Sequence, residues 1–249
     1  MRPVILHYHL FKNAGTSIDS CLEKSFGKNW LNYDSPVGHT ICANQIVELL
    51  EQHPELRALS SHDTAPPLPS GDFRVLPIVF LRHPLLRAKS AYLFEESKQK
   101  GLEASTQGFR DYVAKHINDL NGGVITNFQA CRLANQSPDG PDAVTPTSED
   151  EYAARSCAFI DSLAFFGLVE QFYESFVRLK YYLIDQFPDI QIQYTWKNST
   201  THTEASTGER LETIAKELGP ELYQQLCQRN RQDLKLYQHA AERFNAPLS

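Results

Sequence analysis

The sequence predicts an α/β fold, a three-layer sandwich in which helices flank a central, mostly parallel β-sheet. Short apolar runs rich in β-forming residues occur near the start of the chain, at 73–81 and at 164–169. Each is followed by a polar corner and then by residues at helical spacing, which is typical of strand–helix units. The chain has 249 residues, of which 41% are apolar and 22% charged, so we expect one domain over 1–249 with a full core.

The first strand–helix unit opens with an apolar run over 4–10 and breaks at Asn13-Ala14-Gly15. Thr16 or Ser17 is expected to cap the helix that follows, whose apolar residues recur at helical spacing. In such a corner the backbone N–H groups point at one spot, at the positive end of the helix dipole. The corner therefore suits a phosphate or sulfate group.

Two side chains of this corner strengthen the prediction of an anion site. Lys12 adds a full positive charge, and Gly15 lets the backbone approach an anion closely. The order of residues does not fit a Walker A loop, in which the lysine follows the last glycine. An ordinary strand–helix corner with a solvated Lys12 is the alternative.

The clearest buried strand is Phe73–Leu81, which stops at Arg82. Pro84 suits the first turn of a helix, and a long helix is expected to continue to residue 98. Ser90 then lies about two turns into that helix. Because ligands of open α/β sheets bind at the carboxyl ends of strands, Arg82 is a candidate binding residue.

The remaining elements are predicted from periodicity and turn signals. A short strand at 57–60 ends before His62, and a proline-rich segment follows at 64–72. Polar loops without periodicity are expected at 27–38 and 135–147, and a polar loop with Lys197 follows the last predicted strand. The predicted helices cover 41–52, 108–117, 126–134, 170–186, 206–218, 220–229 and 231–244, and the last strands cover 164–169 and 190–196.

Two segments resemble those of one enzyme family. Residues 9–17, His-Leu-Phe-Lys-Asn-Ala-Gly-Thr-Ser, resemble the 5′-phosphosulfate loop of sulfotransferases that use 3′-phosphoadenosine-5′-phosphosulfate (PAPS), in particular the carbohydrate-type, heparan-sulfate 2-O-sulfotransferase-like families. Residues 79–92 resemble the family's 3′-phosphate segment, Arg-Asp-Pro-x-x-Arg-x-x-Ser-x-Tyr, with His83 where Asp or Asn is usual. The resemblance implies the P-loop NTPase-like sulfotransferase fold.

The resemblance also implies a reaction. The enzyme would transfer a sulfuryl group from PAPS to a hydroxyl of a carbohydrate or small metabolite by in-line displacement, without a metal. Lys12 is expected to stabilise the leaving oxygen, and His62 to act as the base, with Asp63 or Glu95 as alternatives. The expected PAPS-binding residues are Lys12, Asn13, Ala14, Gly15, Thr16, Ser17, Ile18, Arg82, Ser90, Arg132 and Lys197. His7 and His9 are expected to be packed beside the site.

Composition restricts the classes of function. The net charge of −6 argues against a nucleic-acid binder, which would normally be basic. The five scattered cysteines form no C-x-x-C pair, and we expect reduced thiols in a cytoplasmic protein. No apolar stretch approaches the roughly 20 residues of a membrane span, and no signal peptide is predicted, as in a bacterial-type soluble enzyme. A P-loop kinase or NTPase and a non-catalytic nucleotide-binding protein remain as alternatives.

Overall fold

The computed structural model describes residues 1–36, 38–101, 103–134, 148–192 and 205–247. Its sheet is entirely parallel, and it follows the spatial order β2-β3-β1-β4-β5. The strands are β1 (Arg2–Tyr8), β2 (Trp30–Asn32), β3 (Ala58–Ser61), β4 (Phe73–Leu81) and β5 (Gly167–Leu168). The α/β prediction with a parallel sheet is confirmed.

Helices follow and cross over the strands, as parallel connections require. They are α1 (Gly15–Phe26), α2 (Ala43–Gln52), α3 (Pro84–Tyr92), α4 (Thr106–His116), α5 (Phe128–Leu133), α6 (Glu149–Ser162), α7 (Phe172–Ile184), α8 (Thr207–Leu218), α9 (Pro220–Arg229) and α10 (Arg231–Asn245). A π-helical segment, Leu93–Gln99, continues α3. No helix in the described ranges is long and apolar enough to cross a membrane.

The sheet is buried on both faces, which is why its central strands are almost continuously apolar. Val4, Leu6 and Tyr8 of β1 face a core that includes residues of α2, α5, α6 and α10. Ile5, between them, faces the opposite core, which α1 and α7 complete. Alternating residues of one strand thus enter two cores, and the three-layer arrangement follows.

Several predicted boundaries are wrong. Residues 27–38, predicted as a loop, contain the edge strand β2, whose three residues are too few to give a periodic signal. The helix predicted to continue to 98 changes to π geometry after Tyr92. The strand predicted at 164–169 is only two residues long. Residues 190–192 are not a strand, and the rest of the strand predicted at 190–196 lies outside the described residues.

Candidate functional site

Three predicted site residues follow three adjacent strands. Lys12 follows β1, His62 follows β3 and Arg82 follows β4. Since β1 lies between β3 and β4 and all strands run parallel, the three loops meet at one carboxyl edge of the sheet. The carboxyl edge of an open α/β sheet is where ligands bind.

The loop of residues 9–14, here called the β1–α1 loop, contains two non-glycine residues in left-handed backbone conformations. Lys12 and Ala14 adopt left-handed backbone conformations, with φ of 64° and 65°. α1 begins at Gly15, so Ala14 occupies the N-cap position. The prediction of a Thr16 or Ser17 cap is therefore wrong. Since the methyl group of Ala14 cannot accept a hydrogen bond, it leaves the first N–H groups of α1 to other acceptors.

The end of α1 that faces this loop suits a negative charge. The first turn of α1, all of it described, contains no acidic side chain to compete with an anion. Ser17 in that turn is half-buried, Thr16 is exposed and Ile18 is buried in the core. The two hydroxyls lie on the first turn, where the N–H groups and the helix dipole favour phosphate or sulfate.

Gln129 of α5 ties the β1–α1 loop to the end of β4. Its Oε1 accepts hydrogen bonds from Asn13 Nδ2 at 2.7 Å and from the Arg82 backbone N–H at 2.9 Å. Its Nε2 donates to the Arg82 carbonyl oxygen at 2.9 Å. Asn13 Nδ2 also donates to the Phe80 carbonyl oxygen at 2.7 Å. Asn13 therefore holds the loop in place from a buried position.

The guanidinium of Arg82 touches the β1–α1 loop directly. Arg82 Nη1 donates to the carbonyl oxygen of Lys12 at 3.0 Å. Its Nε is buried, has no hydrogen-bond partner among the described residues and lies 3.9 Å from Glu170 Oε1. The other oxygen of Glu170 accepts the His83 backbone N–H at 3.1 Å. The two predicted anion sites are thus one continuous surface.

The amine of Lys12 points toward the helix that carries Ser90. Lys12 Nζ lies 4.2 Å from the centre of the Phe94 ring, in the π-helical continuation of α3. Ser90 lies in α3 and is 7% exposed. A cation against an aromatic face keeps its charge while its stem is ordered. The amine therefore lies against the π-helical segment that continues α3.

His62 is held in one orientation. Its Nδ1 donates to the His9 carbonyl oxygen at 2.8 Å, because a carbonyl oxygen can only accept. The neutral ring then carries its lone pair on Nε2, the atom that a general base uses. Burial, and then the nearby His9, lower the pKa of His62, while Asp34 and Asp19 act in the opposite direction. On balance these effects favour the neutral ring of His62.

A cluster of His7, His9 and Asp19 lies next to His62. His7 Nδ1 donates to Asp19 Oδ1 at 2.8 Å, and His9 Nδ1 lies 2.7 Å from Asp19 Oδ2. The rings of His9 and His62 have their centres 3.8 Å apart. Burial raises the pKa of Asp19, but its contacts with His7 and His9 outweigh this and hold the pKa well below its usual range.

Gly15 is required by this cluster. A Cβ atom added to Gly15 would lie 1.9 Å from His9 Cδ2 and 2.1 Å from His9 Nε2. The imidazole of His9 therefore rests flat against the start of α1, in space that any larger residue would fill. A close approach to Gly15 was expected from an anion. In the structure, the group that approaches Gly15 closely is the side chain of His9.

The cluster has the donor atoms of a metal site, since three possible ligand atoms lie within 4.8 Å of one another. Ligands around tetrahedral zinc stand about 2.0–2.2 Å from the ion, which places them roughly 3.3 Å apart. The two N–O separations of 2.7 and 2.8 Å are shorter and have the length of hydrogen bonds. The His7 contact is a hydrogen bond, whereas the His9 contact is a close separation without hydrogen-bond alignment.

The other candidates have defined surroundings. Asp63 accepts the Ser35 backbone N–H at 2.9 Å and lies 3.9 Å from Arg132 Nη1, which packs near the Phe128 ring. Glu95 lies near Tyr112 of α4. Burial, and then the carboxylate of Glu95, raise the pKa of Tyr112. Neither carboxylate therefore shares the contacts that hold His62. Lys197 lies outside the described residues.

Sequence reasoning missed the roles of Gln129, Glu170 and Asp19. The His-x-His spacing of His7 and His9 was a usable signal, since residues two apart on a strand share a face. Asp19 lies one turn beyond Gly15 on α1, and only packing decides that it meets that face. Gln129 and Glu170 act on loops far away in the chain, which no local pattern encodes.

The donor groups at this edge are of the kinds that bind anionic groups in proteins. The start of α1 offers backbone N–H groups and hydroxyls beside Lys12. Arg82 has a buried Nε–H that makes no hydrogen bond to the described residues and lies 3.9 Å from Glu170 Oε1, while its Nη1 donates to the loop. Charge-assisted hydrogen bonds from such groups are the usual means of holding phosphate and sulfate.

Comparison with known proteins gives no activity. No family model matches the chain. The chain is similar to an uncharacterized protein of Archaeoglobus fulgidus, with 26% identity over 264 aligned positions that cover 98% of each chain. The description of that relative names no activity or ligand, so function rests on the geometry of the site.

Proposed function

We propose that this protein is a PAPS-dependent sulfotransferase that acts on a hydroxyl of a carbohydrate or small metabolite. The observation that carries the proposal is the 3.0 Å hydrogen bond from Arg82 to the Lys12 carbonyl oxygen. It joins the loop that resembles a 5′-phosphosulfate site to the residue that resembles a 3′-phosphate ligand. PAPS requires two anion sites on one surface, at a fixed separation.

In this proposal the donor is held at both ends. The N–H groups and hydroxyls at the start of α1 bind the 5′-phosphosulfate, and Lys12 lies against the oxygen that leaves. Arg82 and Ser90 bind the 3′-phosphate, and Arg132 borders the same edge. Fixed donors aimed at the charge that develops in the transition state need no reorganisation during the reaction.

The acceptor hydroxyl loses its proton as the new bond to sulfur forms. His62 suits this task because its Nδ1 is committed to the His9 carbonyl oxygen and its Nε2 is left to accept a proton. Its lowered pKa favours the unprotonated ring that a base needs. The hydroxyl-bearing acceptor would approach from the side of His62, opposite Arg82 across Lys12.

Kinase or NTPase chemistry has weaker support at this edge. Lys12 precedes Gly15, whereas the phosphate-binding lysine of a Walker A loop follows the last glycine. Arg82 follows β4 at the position where a metal-binding carboxylate would be expected of such an enzyme. A protein that binds the nucleotide without turnover would share the geometry and differ only in its activity.

A transfer assay tests the proposal. Purified protein is incubated with radiolabelled PAPS and a panel of sugars and small hydroxyl compounds, and labelled products are separated. We expect transfer to at least one acceptor class, with a loss of at least about 100-fold in kcat for Lys12→Ala. Lys24→Ala, at the exposed end of α1, is the matched control and should keep full activity. A Lys12→Ala protein as active as Lys24→Ala would contradict the proposal.

A further inference from the structure

We propose that Asp19 is a positioning residue for His62 and acts through His9. This inference rests on the proposed function, because it assumes that His62 is the base and assigns a role to Asp19 and His9, which lie next to it. Two contacts link His9 to His62: the 2.8 Å hydrogen bond to its carbonyl oxygen and a ring separation of 3.8 Å. Asp19 Oδ2 lies 2.7 Å from His9 Nδ1, an ion-pair distance at which the carboxylate bears on the position of the ring.

The position of His9 is fixed from three directions, so it can transmit an orientation. Asp19 Oδ2 lies 2.7 Å from Nδ1, the start of α1 at Gly15 lies against the ring, and the centre of the His62 ring is 3.8 Å away. The ring of His7, with its centre 5.3 Å from that of His9, shares the same carboxylate. Packing of this kind restricts the rotamer of His9. Because the ring of His62 packs against the ring of His9, the orientation of His62 is restricted as well.

Charge gives Asp19 a second effect on His62. The titratable groups that face His62 in the described residues are His9 after β1, Asp19 from α1 and Asp34 after β2, with His7 behind them. Asp34 Oδ1 accepts the backbone N–H of His62 at 2.7 Å. The carboxylate of Asp19 favours a positive charge on His62. It therefore stabilises the imidazolium that forms during the reaction.

The step that Asp19 assists is balanced as follows. The O–H bond of the acceptor breaks and its proton moves to His62 Nε2. The freed oxygen forms the new bond to sulfur. The bond from sulfur to the 5′-phosphate oxygen breaks, and its electron pair leaves on that oxygen, beside Lys12. Asp19 exchanges no proton and touches no substrate in this scheme.

Kinetics of Asp19→Asn test the inference. We expect kcat to fall by about 10- to 100-fold while the dissociation constant of 3′-phosphoadenosine 5′-phosphate changes less than about twofold. The acidic limb of the kcat–pH profile should move to lower pH, because the loss of the negative charge lowers the pKa of the base. Asp161→Asn is the matched control, since Asp161 forms a surface pair with His239 at 2.8 Å.

In Asp19→Asn, a fall in kcat with an unmoved acidic limb would overturn the inference, because a purely structural role would give that result. Asp19→Glu keeps the charge on a longer side chain, so it should lower kcat and leave the limb in place. If Asp19→Asn fails to fold, this variant carries the test, and a moved limb in it would overturn the inference. If activity required added zinc and were lost with EDTA, the cluster of His7, His9 and Asp19 would be a metal site. That result would also overturn the inference.

NMR titration separates this inference from the proposed function. The imidazole signals of His62 are followed against pH in the wild type, Asp19→Asn and Asp161→Asn, without substrate. A His62 pKa that falls only in Asp19→Asn supports the linkage even if no sulfuryl transfer is found. An unchanged His62 pKa in a folded Asp19→Asn protein would overturn it even if the enzyme transfers sulfate.

Discussion

His83 shows how one side chain connects the site to the stability of the whole protein. It stands between Arg82 and Pro84, its ring meets Tyr237 edge-on at 5.2 Å, and its Nδ1 is buried without a hydrogen-bond partner among the described residues. Burial, and then the charge of Arg210, lower the pKa of His83 to about 4. In the unfolded chain the pKa of histidine is about 6.5.

The first prediction concerns the pH dependence that His83 creates. Its folded-state pKa lies below the unfolded value, so the unfolded chain binds the proton first as the pH falls. Stability is therefore fully present above about pH 6.5 and is lost between there and about pH 4. At about 1.4 kcal/mol per pKa unit the loss amounts to at most about 3.5 kcal/mol, and to less where water reaches the ring.

His83→Asn removes this titration and keeps the backbone N–H that donates to Glu170. Urea unfolding at pH 7, 5.5 and 4.5 should show a smaller loss of unfolding free energy for His83→Asn than for the wild type. His53→Asn is the control, since His53 is exposed. Identical pH dependence of His83→Asn and the wild type would refute a buried, neutral His83.

The connection between α5 and the two strand-end loops operates at the scale of elements. Gln129 is fully buried and satisfies Asn13, the Arg82 backbone N–H and the Arg82 carbonyl oxygen. Two loops that belong to different strand–helix units therefore share one amide. A side chain that holds both loops in register matters to stability, and in the proposed function it would also matter to ligand binding.

The second prediction follows from that amide. Gln129→Ala leaves several buried polar groups without partners, and we expect a loss of about 2–4 kcal/mol in unfolding free energy. The affinity for 3′-phosphoadenosine 5′-phosphate should also fall. Gln107→Ala removes an exposed glutamine that bonds Asp111, and its effect should stay within about 0.5 kcal/mol. Equal effects of the two substitutions would show that Gln129 does not connect the loops.

The start of α1 gives the third prediction. Gly15→Ala places a Cβ 1.9 Å from His9 Cδ2, so the ring must move, at a cost of about 1–3 kcal/mol. Ala14→Gly is the matched change one residue away. Ala14→Gly removes the strain of an alanine in the left-handed conformation, which is worth about 1 kcal/mol. Glycine also raises the entropy of the unfolded chain by a similar amount of free energy, so the net change in stability should be close to zero. If calorimetry finds Gly15→Ala as stable as the wild type, His9 does not rest on α1.

At the scale of the molecule, the limits of sequence reasoning have physical causes. β4 could be predicted residue by residue because nine residues between clear turn signals form a buried run. The bounds of β2 and β5 could not be predicted in this way. These strands have three and two residues, which is too short for an alternating hydrophobic pattern to show. The start of α1 was misplaced because Ala14 adopts a conformation that normally requires glycine. An alanine gives no local sign of it.

The candidate site divides in the same way. Lys12, His62 and Arg82 were predictable, because residues that follow parallel strands gather at one edge whatever the packing. The partners that orient them were not. Asp19, Gln129 and Glu170 reach the site from α1, α5 and the segment after β5, and their contacts depend on how those elements pack.

The melting temperature with and without nucleotide tests the central claim most directly. 3′-Phosphoadenosine 5′-phosphate at about 100 times its dissociation constant should add about 2.7 kcal/mol of stability. For a chain of this size that corresponds to a rise of roughly 5–10 °C. ATP with Mg²⁺ at the same concentration should give a much smaller rise. A shift with ATP and Mg²⁺ as large as the shift with 3′-phosphoadenosine 5′-phosphate would contradict the proposal.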